Sequence, residues 1–464
     1  MWSSPKRYGL WYNRAPDMRC IHDCRNRWHR HHPLFRQPAD GAGSAGSLVG
    51  VLVLLLLLSP VQALRATEAP VIDVLYMVQS GYQPDALLER TQEYRRHSPN
   101  RVRLHFVEYK DLWEGIQRGI HHGAYDVVLT DVIWTHRLVS EGALLPVPPP
   151  LARTIRERMV PQVARTFELE GELWAFPFFM DFQLLFSNRT ILDAAGFSHP
   201  PQSLEELTRM ARAIRDRGIL PYPIFFSLAR EEVLMCKVLI WTGAFGGDLA
   251  PFGEGDRIRV DTPEAVQAVS WLQELLREGL LNPYSLASDE VFAAEVFLAE
   301  DAAFTTNWVF LLGKIQESAG PVARAGVPSA IPVASARAGD GSGGGQTTVN
   351  GFQGFSVLAS SNHPEAAWDY VAFLSEIDFH QKNPFELAPW KGVWEDRTEG
   401  DPYFALKVEQ LSALRDRPYH RKYLEISEIF QRWVHRVLRL EMDPLQGLEA
   451  AQAEIEELLE GVSP

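Results

Sequence analysis

Several tryptophans in this chain stand beside turns and polar residues, where a flat ring can face a ligand. Trp134 follows Asp131 at the end of the β-rich run Tyr125-Asp126-Val127-Val128-Leu129. Trp241 opens the sequence Trp241-Thr242-Gly243-Ala244-Phe245-Gly246-Gly247-Asp248, Trp308 follows Asn307, and Trp390 and Trp394 flank Lys391-Gly392. An aromatic ring offers a large contact area with a specific geometry and suits a flat face of C–H groups. Planar polar side chains such as Asp131, Asp181, Asn307 and Arg417 can each span two neighbouring hydroxyls. Together these residue types fit recognition of a sugar-like solute. Each has a plainer reading, a helix cap or surface charge for the polar groups and a core position for the rings. Trp174, on a strand with apolar neighbours, and Trp368, inside a helical apolar pattern, read as core.

No pattern points to bond-breaking chemistry. Cys236 lies in the apolar stretch Leu234-Met235-Cys236-Lys237-Val238-Leu239-Ile240, where a buried inert thiol is the usual case. A glycosidase needs two facing carboxylates about 5–10 Å apart. Asp131 and Asp181 are not excluded as such a pair, but no motif supports them. Cys20 and Cys24 with His22, His29, His31 and His32 have the residue types of a metal site, yet they lack a second ligand pair in a folded frame. No metal and no cofactor is expected.

Those cysteines sit in a leader. Residues 48–58 are apolar and are followed by Ser59-Pro60-Val61-Gln62-Ala63. Spanning a bilayer takes about 20 apolar residues, so this run has the length of a signal-peptide core, with Val61-Gln62-Ala63 as its cleavage site. Residues 1–63, starting at Met1 or Met18, are therefore expected to be removed, leaving a periplasmic protein; if retained, they would anchor it on the same side of the membrane. The chain carries a formal charge of −14, and removing the Arg-rich leader makes it more acidic still. Such a balance disfavours nucleic acid, whose phosphates need basic patches. Cys236 is the sole cysteine after the leader, so no internal disulfide is available. The remaining length suggests two domains.

Strands and helices alternate from residue 71 onward: Val71–Val78, a helix with Leu87, Leu88 and Tyr94, then Val102–Val107, a helix around Trp113 and Ile116, and Tyr125–Leu129. That order is the pattern of a parallel α/β sheet, on which ligands bind beyond the carboxyl ends of the strands. Thr130 and Asp131 stand at such an end. Further helices are marked by the capping box Ser203-x-x-Glu206, by Thr262-Pro263 with Gly279 as its stop, and by Pro364 with Ala367, Val371 and Leu374 inward. The last 22 residues, from Asp443, read as an acidic amphipathic helix around Leu445, Leu448, Ile455 and Leu459. Residues 338–345 form a glycine-rich loop by composition.

Four segments resemble the extracellular solute-binding proteins of ABC importers, in the sugar-binding group that includes maltose-binding protein. The first runs from Tyr125 to Trp134 and on to Gly142-Ala143-Leu144-Leu145-Pro146. The second is Gly171–Pro177 with Phe178-Phe179-Met180-Asp181 and Leu185-Phe186-Ser187-Asn188. The third is Ala302-Ala303-Phe304-Thr305-Thr306-Asn307-Trp308, and the fourth is Val349-Asn350-Gly351-Phe352-Gln353-Gly354-Phe355 with His363-Pro364-Glu365. The likeness covers residues 70–460, and order and spacing make it more specific than any single motif. It departs at Phe352, where many relatives carry a Gly-Gly-Trp type of sequence.

The resemblance implies an α/β, two-lobed periplasmic binding protein fold with discontinuous lobes. One lobe would be 70–178 with 308–350 and the other 179–307 with 351–460, joined by three crossover segments around a central cleft. It implies ligand contacts from Asp131, Trp134, Asp181, Trp241, Asn307, Trp308, Gly351, Phe352, Trp390 and Arg417, with Tyr419 beside Arg417. It further implies a monomeric binder of a sugar or oligosaccharide that delivers its ligand to membrane permease subunits. Another small solute remains the alternative: a polyamine would favour several carboxylates, a phosphorylated compound Gly/Ser-rich helix starts. An exported enzyme on the same fold is the remaining reading.

Overall fold

Burial on both faces turns a strand into a nearly continuous apolar run, and Val71–Met77 and Val127–Asp131 show it, whereas the edge strand Arg101–Val107 does not. The structure, a computed structural model, describes residues 69–78, 82–249, 258–318, 320–334, 347–382, 387–396 and 401–461. The leader, with its cysteines and apolar run, and the glycine-rich stretch 338–345 lie outside the described residues.

The first sheet begins with β1 (Val71–Met77), β2 (Arg101–Val107) and β3 (Val127–Asp131). β1 pairs in parallel with both others, from Val71↔Arg101 to Met77↔Val107 and at Val74↔Val127. The crossover helices are Pro84–His97 and Tyr109–His122, the latter ended by Gly123 at φ 61°. A hairpin of β4 (Glu168–Leu169) and β5 (Glu172–Leu173) then leads to β6 (Phe176–Phe179). A second, antiparallel sheet holds β7 (Gln183–Asn188) between β8 (Phe304–Trp308) and β9 (Gly326–Ser329). The last strands are β10 (Thr348–Val349), β11 (Gln353–Val357) and β12 (Leu414–Arg415), with β10 paired to β12. The strand β11 joins the first sheet, whose order is β2-β1-β3-β11-β6.

The division into lobes differs from the expected one in its second halves. The strand β11 pairs antiparallel with β3 from Gln353↔Asp131 to Val357↔Val127, so residues 353–357 belong to the first lobe and not the second. The strand β9 pairs with β7 from Leu185↔Ser329 to Asn188↔Gly326, so residues 326–329 belong to the second lobe and not the first. The chain thus passes between lobes at Met180–Phe182 and back at Asn350–Phe352. It leaves the first lobe again after helix Lys391–Asp396 and is in the second by helix Phe404–Leu411.

The local start signals act as anticipated. Ser203 Oγ accepts from Glu206 N at 3.2 Å, and the Glu206 carboxylate reaches back one residue further, to Gln202 N at 2.8 Å. Thr262 caps Pro263–Arg277 through Ala265 N at 3.2 Å. The C-terminal helix is Pro444–Glu460, capped by Asp443; Leu448 and Ile455 are buried, whereas Leu445 is exposed.

An aromatic knot fastens the first lobe. The Phe178 ring lies 4.7 Å from Phe355, 5.1 Å from Tyr82 and 5.6 Å from Phe379, centroid to centroid. Beside it, the buried Arg90 guanidinium ties helix Pro84–His97 to Glu376 at 2.7 Å and Asp378 at 3.0 Å. Truncating a fully buried phenylalanine removes its transfer energy and leaves a cavity. We expect Phe178→Ala to cost about 3–5 kcal/mol in urea unfolding, a loss that a surface position could not produce.

Candidate functional site

The carboxyl end of β3 and the start of the second lobe's longest buried helix point at one arginine. Asp131 ends β3 and caps helix Val132–Ser140, its Oδ1 accepting from Ile133 N at 3.3 Å. Arg417 follows β12, and its Nη2 donates to Asp131 Oδ1 at 2.6 Å. Its Nη1 donates to Glu232 Oε1 at 3.2 Å, from the first turn of helix Glu232–Ala244. Tyr109 Oη donates to Asp131 Oδ2 at 2.8 Å. Glu232 also accepts from Tyr423 Oη at 2.5 Å and Ser427 Oγ at 2.7 Å.

The Arg417–Asp131 pair is shut away from solvent, while Glu232 keeps a partly exposed edge. Only 2% of the Arg417 side chain and 4% of the Asp131 side chain meet solvent. Burial works against the Arg417 charge, but Asp131 and Glu232 more than reverse it and hold the group protonated. Burial pushes the Glu232 carboxyl up, opposed by Arg417 and by its bonds to Tyr423 and Ser427. Burial and the adjacent Asp131 charge push Tyr109 well up, keeping it a hydrogen-bond donor.

A second group gathers where β8 meets the crossovers. Trp308 is half-buried, and its Nε1 donates to Glu290 Oε1 at 3.1 Å. Asn307 orders both: its Oδ1 accepts from Trp308 N at 2.9 Å and its Nδ2 donates to Glu290 O at 2.8 Å. The indole lies over Gly351, where a Cβ would stand 2.4 Å from the ring. Gly351 thus makes room for Trp308, and its N donates to Asp181 O at 3.0 Å. The Asp181 carboxylate accepts from Phe182 N at 2.9 Å and Val309 N at 3.3 Å, tying the first crossover to the end of β8. Below them lies the fully buried Lys237, whose Nζ donates to Gln183 Oε1 and, at 2.8 Å each, to Thr306 O and Thr306 Oγ1. Burial pulls this ammonium down from the usual lysine range and pushes the Glu290 carboxyl up.

Four anticipated rings are placed in the interior. Trp134 is buried and stacks on Tyr109 at 5.6 Å and 20°, so it positions that phenol and offers no open face. Trp241 is fully buried against Trp271 at 4.8 Å and Phe226 at 5.2 Å. Phe352 is fully buried, and its carbonyl accepts from Val132 N at 3.2 Å. Trp390 donates to Ser375 O at 2.9 Å and packs on Phe176 in the first lobe. The structure therefore corrects the expectation of ligand-facing rings at these positions. Asp131 with Arg417, and Asp181 with Asn307, Trp308 and Gly351, are each brought together. Tyr109, Glu232, Glu290, Lys237 and Tyr423 were missed, since no spacing along the chain marks them.

Two lobes, three passages between them and a polar seam lined by both define an interlobe ligand binder. The profile of bacterial extracellular solute-binding proteins matches residues 80–377, and the chain belongs to that family. It is 27% identical over 354 residues to a probable ABC transporter-binding protein of Deinococcus radiodurans, covering 73% of this chain and 81% of that one. Its fold is similar to maltose-bound MalE3 of T. maritima, with TM-score 0.75 and 22% identity over 84% of this chain and 100% of the other. It is also similar to the GacH receptor of Streptomyces glaucescens, with TM-score 0.73 and 19% identity over 84% of this chain and 99% of the other.

His136, further along helix Val132–Ser140, faces Tyr419 at 5.1 Å and His420 at 6.3 Å, with Arg421 and Glu170 also near. Burial and the Arg421 charge lower its pKa, and Glu170 opposes them. The unfolded chain therefore takes up a proton first, near the ordinary histidine value of about 6.5. The stability from neutral His136 is present above that pH and is lost as pH falls toward the lower folded value. We expect the melting temperature of wild type to drop between pH 7.5 and pH 5 more than that of His136→Asn; superimposable profiles would refute this coupling.

Proposed function

We propose that this chain captures a sugar or oligosaccharide between its lobes, on the outer side of the cytoplasmic membrane, and hands it unchanged to the permease of an ABC importer. The observation that carries this reading is the Trp308–Glu290 pair. A partly exposed indole stands beside a carboxylate, and Asn307 fixes both. The ring suits the C–H face of a pyranose, and the carboxylate suits its hydroxyls. The relatives support a solute of this class. MalE3 of T. maritima is maltose-bound, GacH of Streptomyces glaucescens is described with acarbose, and a similar protein of Thermotoga lettingae with α-D-tagatose.

Binding without turnover fits the chemistry present. Asp131 and Glu232 share one guanidinium and accept further hydrogen bonds from the Tyr109 and Tyr423 hydroxyls, which engages both carboxylates as acceptors rather than as an acid and a base. The Cys236 thiol is buried, and burial pushes its pKa up, away from a reactive thiolate. The family description as extracellular and the apolar run ending at Leu58 both support export. A monomer that meets its permease is the working form under this proposal.

Thermal unfolding with maltose, acarbose, α-D-tagatose and longer glucans, and with spermidine, thiamine and phosphate as controls, tests the reading. A ligand of the folded state stabilises it by about 2.7 kcal/mol at about 100 times its dissociation constant. We expect a shift with one saccharide class, recovery of that saccharide intact, and at least about tenfold weaker binding in Trp308→Ala, the loss of an aromatic contact. A shift with a control alone replaces the sugar by that solute, and a hydrolysed saccharide replaces the binder by an enzyme.

A further inference from the structure

Asp131, His136 and Arg137, at the start and along the first helix after β3, make polar or aromatic contacts with the second lobe. At its start Asp131 holds Arg417 at 2.6 Å. Midway, the His136 ring faces Tyr419 at 5.1 Å. One residue further, Arg137 Nη1 donates to Glu425 Oε1 at 2.9 Å, while its Nε holds Glu141 on its own helix. Solvent access rises along this row: side-chain exposures are 2% and 4% for Arg417 and Asp131, but 29% and 42% for Arg137 and Glu425. Asp131 is also paired in the sheet with Gln353, next to the crossover at Asn350–Phe352. The row therefore starts beside the hinge and runs outward to water.

We propose that Arg417 is an interlobe positioning residue, which holds the second lobe closed on the first through Asp131, with His136–Tyr419 and Arg137–Glu425 as the outer part of the same clasp. The inference rests on the reading of the chain as a solute binder that opens and closes. Both terminal nitrogens of Arg417 are engaged by carboxylates, one from each lobe. Opening the lobes would strip Asp131 of its cation while leaving Glu232 with its own. That charge-assisted bond exists only while the lobes are together, so the contact biases the free protein toward closure. Solute affinity then depends on a contact that the solute does not make, since a protein already populating its binding-competent state binds more tightly. The outer pair is exposed enough for salt to screen it, and the inner pair is not.

The test is an interlobe distance in the full chain without added ligand. Spin labels are placed at Glu114→Cys and Glu457→Cys, exposed on helices of the two lobes, with Cys20 and Cys24 changed to serine and the buried Cys236 left in place. We expect a major short-distance population in wild type. Arg417→Lys, Asp131→Asn and Glu425→Arg should each cut that population at least threefold, and the double swap Arg137→Glu with Glu425→Arg should restore it. Circular dichroism checks that each variant folds, and the rim swap keeps the test decisive if an Arg417 variant does not. Unchanged distances in folded Arg417→Lys and Glu425→Arg, or a failure of the double swap to rescue, would overturn the clasp. Loss of sugar binding in the solute panel with these distance shifts intact would remove the sugar reading and leave the clasp standing.

Discussion

A guanidinium removed from water must find its charge partners inside the fold, and that constraint organises the seam between the lobes. Arg417 meets Asp131 from the end of a strand in one lobe and Glu232 from the start of a helix in the other. Such clusters add little net stability over well-packed apolar groups, yet lose much when one member is taken away. Their effect is to specify geometry. Around Arg417 the geometry is over-determined: Trp134 stacks on Tyr109, Tyr109 bonds Asp131, and Tyr423 with Ser427 fills the remaining positions on Glu232.

The crossovers carry a second constraint of a steric kind. The Trp308 ring reaches its place because Gly351 has no side chain, and the Asp181 carboxylate fixes the backbone on either side of it. Asn350 extends this across the hinge, donating from Nδ2 to Asp416 at 2.7 Å in the second lobe, while burial pushes the Asp416 carboxyl up. Polar contacts of Asp181 and Asn350 thus fix the backbone at two of the passages between the lobes. A binding surface built beside them moves with closure, which is what a protein that senses its ligand by closing requires.

How much of this was legible in the sequence depends on the range over which each feature is determined. The strands β1 and β3 announced themselves because they are largely buried on both faces, and Asp131 could be placed at a strand end from local pattern alone. The lobe boundaries after residue 308 were misjudged because β9 is Gly-Val-Pro-Ser, with no apolar run, and acquires its identity only by pairing with β7. Trp241 stood next to a glycine-rich turn, a signal for a rim, but its helix is buried from Val233 to Ala244 all the way round, so no periodicity reveals which way the ring faces. Glu232 and Glu290 were two carboxylates among 59 acidic residues, and only long-range folding brings them to Arg417 and Trp308.

The most direct measurement is a crystal structure of the protein with a saccharide bound. We expect a sugar ring on the open face of Trp308, its hydroxyls on Glu290, and Arg417 still joined to both Asp131 and Glu232. A solute seated away from Trp308, or one that takes Arg417 for itself and releases Asp131, would overturn the proposed site.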